Sequence, residues 1–575
     1  MSVTSTGSGD GSGAHKTHAS AELLAAMGDL LASVRAALLD YDTPSTAAAV
    51  TTRTEVADQL SDYILPRLVQ LDAPLLTVVG GSTGAGKSTL VNSLVGQVVT
   101  EAGVLRPTTR SPVLVHHPED EQWFGRERLL PDLDRVDEGS AFGLRLVCTD
   151  KIPKGLAVLD APDVDSIDQS NRDLAAQLLA AADLWLFVTS AARYADQVPW
   201  DYLRRASERA TSVAVVLDRT AADAIVEVRG HLARMMTSRG LSDSPLFSVP
   251  ESDVDSDGRL NPALVAPITG WLHDLAADPA ARRLVVGRTL DGAVRHIVLR
   301  SHDIADAMDD QLEVAEELQS GVDASYRDGL EHVVAQTADG TLMTGEVVAR
   351  WQEFIAAGDL VKSIEKTGGG LRERFSSSIS GQGVKGADVV AAVENALTSL
   401  LVDRADAAAE QITSLWSDIA SGRSRLDLLT GGDRASADLR KNAERLVEQW
   451  RSDVTDRARA AAPADSSVKV DEGITAALLT ETLVLVAGDL DRLSAAGRGV
   501  LDVVFGVERV SSMVEQAHED LVARATELFA GEQRRFADLF VGPDLVRESQ
   551  RDVRDAARKA ESARHMDFLN GQITV

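Results

Sequence analysis

Leu75-Leu76-Thr77-Val78-Val79-Gly80-Gly81-Ser82-Thr83-Gly84-Ala85-Gly86-Lys87-Ser88-Thr89-Leu90-Val91-Asn92-Ser93-Leu94-Val95-Gly96 is the stretch that decides the fold. It reads as an apolar strand, a glycine-rich turn and the opening of a helix. Gly81 to Ser88 fits the phosphate-loop pattern G-x-x-x-x-G-K-[ST] in the strand–turn–helix setting that the pattern requires. Glycines let the backbone curl so that successive N–H groups face inward, and a helix starting near Lys87 adds the positive end of its dipole. Gly81, Ser82, Thr83, Gly84, Ala85, Gly86, Lys87, Ser88 and Thr89 are therefore the expected phosphate-binding residues. Lys87 is placed to reach the β- and γ-phosphates, and the Ser88 hydroxyl to ligate Mg²⁺.

Outward from this stretch, the chain alternates. Apolar runs at 75–79, 112–115, 144–147, 156–159, 184–188, 213–217 and 246–249 predict strands. Amphipathic stretches at 171–182, 200–210 and 222–239 predict helices between the later ones. Strand–helix alternation implies an α/β fold, a mostly parallel sheet with helices on both faces, with ligands at the carboxyl ends of the strands. Helical spacing also runs through 21–40 and 46–71, ahead of the phosphate loop. Beyond about residue 275 strand signals nearly vanish, and long helical patterns cover 281–339, 345–364, 387–421, 435–462 and 507–564. The expected domains are a disordered tail (1–19), N-terminal helices packing with the bundle (20–72), a phosphate-loop domain (73–275) and a helical bundle or stalk (276–575).

Composition bounds the function. At 575 residues the formal net charge of −30 argues against a broad nucleic-acid footprint, because phosphate binding needs clustered basic residues. The same charge argues against simple electrostatic docking on anionic lipid. No window of about 18 residues is free of polar breaks, so no transmembrane helix is expected. Cys148, the single cysteine, permits no internal disulfide and points to a reducing cytoplasm; it is expected in a strand and in the core. No histidine or cysteine grouping has metal-ligand spacing.

Three segments of the α/β region carry candidate chemistry. In Arg106-Pro107-Thr108-Thr109-Arg110, a loop threonine is placed to ligate Mg²⁺ and sense the γ-phosphate, Thr109 before Thr108. Capping threonines of a polar loop are the plainer reading. In Val158-Leu159-Asp160-Ala161-Pro162-Asp163, Asp160 fits the Mg²⁺-supporting acid at a strand end. The usual D-x-x-G form has a glycine where Asp163 stands, and a further carboxylate beside a polyphosphate is costly unless metal-bound or turned away. Position 164 is valine, so no glutamine there orients a water. In Val216-Leu217-Asp218-Arg219-Thr220, the sequence has D-R-T-A where guanine-selective sites have N-K-x-D. Asp218 either accepts from the base, with Arg219 stacking on it, or caps the next helix. Ser248 to Ser252 offers backbone groups to a base.

GKSTLVNSLVG, RPTTR and DAP, in that order and spacing, resemble the Era-like and dynamin-like branch of translation-factor-related GTPases. With helices before and after the head, and the loop Thr189 to Trp200, the chain is similar to bacterial dynamin-like GTPases of the actinobacterial kind. The motif likeness covers 75–252. It implies GTP and Mg²⁺ as ligands and slow GTP hydrolysis stimulated by head-to-head association in a homodimer or oligomer. It also implies a stalk coupling nucleotide state to assembly or membranes. Lys87, Thr109 and Asp160 are then the catalytic residues, and Ser88, Thr109 and Asp160 the metal ligands.

Against the acidic background, Lys362 to Lys385 holds five basic and two acidic residues with Leu371, Phe375 and Ile379 at helical spacing. In the dynamin-like reading it is a lipid-touching tip at the inner face of the cell membrane; otherwise it is a flexible bend with solvated charges. The small and apolar residues of 474–507 suit close packing in a core, with a lipid or partner surface as the alternative. Two other function classes stay open: a soluble regulatory switch without membrane work, and a phosphate-loop ATPase of another class, suggested by the absent N-K-x-D. No L-S-G-G-Q signature of ABC ATPases occurs in the chain.

Overall fold

The computed structural model describes residues 21–101, 111–125, 130, 133–136, 143–166, 168–209, 211–356, 385–429, 434–462, 470–486 and 491–569. The tail read over 1–19 lies outside them. All seven apolar runs form strands: β1 (Leu75–Gly81), β2 (Val113–His116), β4 (Leu144–Cys148), β5 (Leu156–Asp160), β6 (Leu184–Ser190), β7 (Ser212–Thr220) and β8 (Leu246–Pro250), with a short extra β3 (Arg135–Val136). They make one eight-stranded sheet in the order β3-β4-β2-β5-β1-β6-β7-β8. Every pairing is parallel except β2 with β5. β1, β5 and β6 are buried along their whole length, which is why they read as unbroken apolar runs rather than as alternating ones.

Helices α1 (Ala21–Arg35), α2 (Thr46–Gln59) and α3 (Leu65–Val69) precede the sheet, with a five-residue π-helix, Leu60–Ile64, leading into α3. Within the sheet region follow α4 (Lys87–Val95), α5 (Gln169–Ala180), α6 (Gln197–Glu208), α7 (Ile225–Ser238) and α8 (Pro262–Ala277). α9 then runs for 58 residues, Pro279–Gln336.

The chain divides into two compact units, residues 1–39, 44–309 and 547–575 in one, and 40–43 with 310–546 in the other. These boundaries differ from the linear division read from the sequence. The N-terminal helices share a core with the sheet: Leu23, Met27, Leu30 and Val34 of α1 are fully buried in the same cluster as Leu75, Val78 and Leu186. Residues 547–569 belong there too, through Ser549 Oγ, which accepts from the Leu38 N–H at 3.2 Å, and Gln550 Nε2, which donates to the Ala305 carbonyl at 3.0 Å. Asp183, at the start of β6, anchors this unit from inside. It is 1% exposed and pairs with Arg67 of α3 at 2.8 Å, while accepting from Tyr63 Oη and the Leu76 N–H. Burial raises its carboxyl's pKa above the ordinary value, and the Arg67 charge is the largest force opposing that rise.

Among its described residues the regular elements of the second unit are all helices: the latter part of α9, α10 (Gly345–Ala356), then Gly386–Asp418, Ala420–Leu426, Leu439–Ala461, Glu472–Thr482, Asp491–Phe505 and Val507–Ala537. Trp351, Trp416 and Trp450 are fully buried in it. Trp416 meets Phe536 and Phe540 edge-on at 5.7 and 5.6 Å and donates from Nε1 to the Leu318 carbonyl at 3.3 Å. Part of 474–507 serves packing: a Cβ on Gly497 would come within 2.8 Å of the Trp351 ring and Ile474 to Thr482 are all buried, whereas a Cβ on Gly499 or Gly506 would meet nothing within 4 Å. The helical pattern over 507–564 is interrupted: Pro543, which has no N–H to donate, opens a new helix, Pro543–Leu569. Cys148 lies in β4 as expected but is exposed rather than core, because it is the last residue of a strand whose outer neighbour β3 covers only Leu144 and Arg145. No described helix is long and apolar enough to cross a membrane.

Candidate functional site

β1 ends at the centre of the sheet between β5 and β6, and the residues singled out from the sequence gather around its carboxyl end. Gly81 has φ +148°, and a Cβ there would collide with the Val188 carbonyl of β6. Gly86, at φ +96°, would drive a Cβ into the Asp218 carboxylate. Only glycine satisfies both positions. Between them Ala85 N–H donates to the Ser82 carbonyl at 3.1 Å, and α4 begins at Lys87. A glycine-rich turn ending in a helix N-terminus presents backbone N–H groups that an anion can meet.

Lys87 folds back across this loop. Its Nζ donates to the Gly81 and Ser82 carbonyls, both at 3.1 Å, and pairs with Asp163. Ser88 Oγ donates to Asp160 Oδ2 at 2.7 Å, and Thr100 Oγ1 donates to the same oxygen at 2.8 Å. The other Asp160 oxygen, Oδ1, is buried with no hydrogen-bond partner among the described residues, as is Ser82 Oγ. Burial pushes the Asp160 carboxyl up from its ordinary value, against the Ser88 and Thr100 hydrogen bonds and the Lys87 charge; the Asp163 charge adds to the rise. A hard divalent cation is what such a buried, half-satisfied carboxylate beside a hydroxyl accommodates. Ser88 and Asp160 thus fit Mg²⁺, with the remaining ligands to come from phosphate oxygens and water. Among the described residues no group of three or more His, Cys, Asp or Glu is placed to hold a metal by itself.

The segment after β5 lies on the phosphate loop. Val164 N–H donates to the Gly81 carbonyl at 3.3 Å, and Asp165 Oδ1 accepts from both the N–H and the hydroxyl of Thr83 at 2.6 Å each. Arg193, in the loop after β6, pairs with Asp165 at 3.7 Å and with Asp196 at 3.1 Å.

Asp218 closes the far side. It is 3% exposed, takes the Arg219 N–H on Oδ1 at 2.8 Å, and lies against Gly86. Burial raises its pKa from 3.8 to about 6. The exposed Arg219 holds a left-handed backbone, φ +50°, at which a side chain other than glycine is uncommon. Glu251 N–H donates to the Thr220 carbonyl at 3.0 Å, which keeps the 248–252 segment at the same edge.

Thr108 and Thr109 lie outside the described residues, as does the basic stretch from Lys362 up to Lys385, which is itself described. What the structure adds beside them is the register of β2: because that strand is antiparallel, its first residue, Val113, sits opposite Asp160. Sequence reading missed Thr100, Asn92 and Asp165. Asn92 accepts from the Val99 and Thr100 N–H groups at 2.8 and 3.0 Å and so fixes the Thr100 hydroxyl on Asp160. The alternation Asp163-Val164-Asp165 was a usable signal; for Thr100 there was none.

Fold and site together define a phosphate-loop domain of the GTPase type joined in sequence to a long helical region. Residues 77–219 match the family model described as Dynamin family. Over 157 residues the chain is 25% identical to the probable transmembrane GTPase FZO-like, chloroplastic, of Arabidopsis thaliana, a match covering 27% of this chain and 16% of that protein. Among solved structures, an oligomerised bacterial dynamin pair linked to long-range sensing and tethering of membranes aligns over 90% of this chain and 91% of its own, at 10% identity and a TM-score of 0.36. Era from Aquifex aeolicus, as a variant bound to GDP·AlF4⁻, aligns over 34% of this chain and 56% of its own, at 18% identity and a TM-score of 0.23.

Proposed function

We propose that this chain binds GTP with Mg²⁺ at Gly81–Thr89 and Asp160 and hydrolyses it, as a dynamin-like GTPase. In this reading its helical region couples nucleotide state to self-assembly or to work on membranes. The observation that carries the reading is Asp160: a buried acid at a strand end, sharing one oxygen between Ser88 and Thr100 and leaving the other without a partner among the described residues, directly beside the phosphate loop. The family match over 77–219 supports GTP as the nucleotide. Held by Ser88 and Asp160, Mg²⁺ would supply positive charge to the phosphates. Lys87 and the loop N–H groups orient the phosphates and neutralise developing charge, which is most of what a protein contributes to phosphoryl transfer. Thr109 is proposed as a further metal ligand, and association through the head and peripheral membrane contact at Lys362–Lys385 belong to the same proposal.

A phosphate-loop nucleotidase without guanine selection is the second reading. It is favoured by Asp218, whose buried carboxylate turns to Gly86 and the Arg219 N–H. Labelled GTP and ATP titrated into the purified protein with Mg²⁺, beside Lys87→Ala, separate the two. Micromolar GTP binding that ATP does not displace and the variant abolishes is the expected result. Equal displacement by ATP refutes the GTPase reading and leaves the phosphate loop standing.

A further inference from the structure

An ammonium group has three N–H donors, and those of Lys87 are all engaged: two on loop carbonyls and one on Asp163. The Lys87 side chain is 5% exposed, so water offers it little in exchange. The carbonyl partners, Gly81 and Ser82, are the end of β1 and the start of the loop itself. Asp163 belongs to a separate segment, and it stands where the D-x-x-G pattern places a glycine. That segment is pinned to the loop a second time by Asp165, which holds the N–H and hydroxyl of Thr83, and a third time by the Val164 N–H on Gly81. A carboxylate and a γ-phosphate cannot share one buried ammonium without strong like-charge repulsion.

We infer that Asp163 is a specificity-determining residue: its carboxylate competes with the γ-phosphate of a nucleoside triphosphate for Lys87, and Asp165 on Thr83 holds it in the competing position. The inference rests on the phosphate-loop nucleotide site proposed above. A diphosphate has no γ-phosphate and meets this competition only weakly, so the native acid biases the site towards the diphosphate. Triphosphate binding must lift the 163–165 segment off the loop. The residue in the glycine's place therefore makes the segment's position depend on the third phosphate.

The test is calorimetric titration of GDP and of the slowly hydrolysed analogue GTPγS, with Mg²⁺, into wild-type protein and Asp163→Asn. The substitution keeps shape and removes charge, at a side chain that is 22% exposed. GTPγS affinity is expected to rise about tenfold or more, a gain of about 1.4 kcal/mol, with GDP affinity changed less than about threefold. Asp165→Ala, which removes the acceptor of both Thr83 hydrogen bonds, is expected to move the ratio in the same direction and serves if Asp163→Asn fails to fold. An unchanged ratio, or equal gains for both nucleotides, overturns the inference while nucleotide binding stands. Absence of binding by wild type, with Lys87→Ala indistinguishable from it, overturns the site reading beneath it.

Discussion

Asp218→Asn is expected to stabilise the protein, by an amount that depends on pH. The Asp218 carboxyl is buried against Gly86, and its pKa is raised from 3.8 to about 6. An unfolded chain loses this proton near pH 4, whereas the folded chain holds it to about pH 6. Across that window the native state binds more protons, so raising the pH costs stability, and the cost is complete above about pH 6. At ~1.4 kcal/mol per pKa unit the penalty approaches about 3 kcal/mol. Asparagine cannot ionise, and its side-chain carbonyl still accepts the Arg219 N–H. Urea unfolding followed by tryptophan emission should show wild type and Asp218→Asn alike near pH 3.5, with the variant more stable by roughly 2–3 kcal/mol at pH 8. A variant that is less stable at pH 8, or a difference that does not change with pH, refutes the reasoning. Nucleotide preference adds a second readout: if the Asp218 carboxylate reads guanine, the variant loses selectivity for GTP over ATP, and if it only supports the loop, selectivity is unchanged.

Two further predictions concern the cores. Trp416→Ala removes a fully buried indole held edge-on by Phe536 and Phe540 and should cost about 3–5 kcal/mol in urea unfolding of the helical unit; a loss below about 1 kcal/mol counts against that packing. Arg67→Met leaves Asp183 as a buried charge without its cation and should cost about 3–5 kcal/mol at pH 7, whereas the double variant with Asp183→Asn should recover much of it; independent, additive losses would show that the pair is not coupled.

Much of the α/β half was legible because each strand is a run of β-branched and aliphatic residues cut by glycine, proline or acid. Strand direction was not, since hydrophobicity is the same read either way; the antiparallel β2 emerges only from its pairing with β5. The helices were legible by period, and the break before Pro543 in principle by its Gly-Pro step. Which helices share a core was not, because an apolar stripe such as Leu23, Met27, Leu30 and Val34 does not name its partner. At the site, Gly81, Gly86, Lys87, Ser88 and Asp160 come together as a local motif and a strand end allow one to read. The engagement of Lys87 by Asp163, and of Thr83 by Asp165, needed coordinates, because the sequence marked Asp163 as out of place without showing what it touches.

The first compact unit is assembled from distant parts of the chain, with the Leu38 N–H bonded to a hydroxyl 511 residues away. At about 5–20 residues per second, half a minute to nearly two minutes of synthesis separates those two groups. During that interval the sheet and the N-terminal helices exist without residues 547–569, and the apolar faces of Val553, Ala557 and Ala560 have yet to arrive to cover their neighbours. Final closure of this unit is thus a late event set by translation, and the nascent chain carries exposed hydrophobic surface for that period. A chaperone dependence that appears in coupled translation, and is weaker when the whole chain refolds from urea, is the signature this topology leaves.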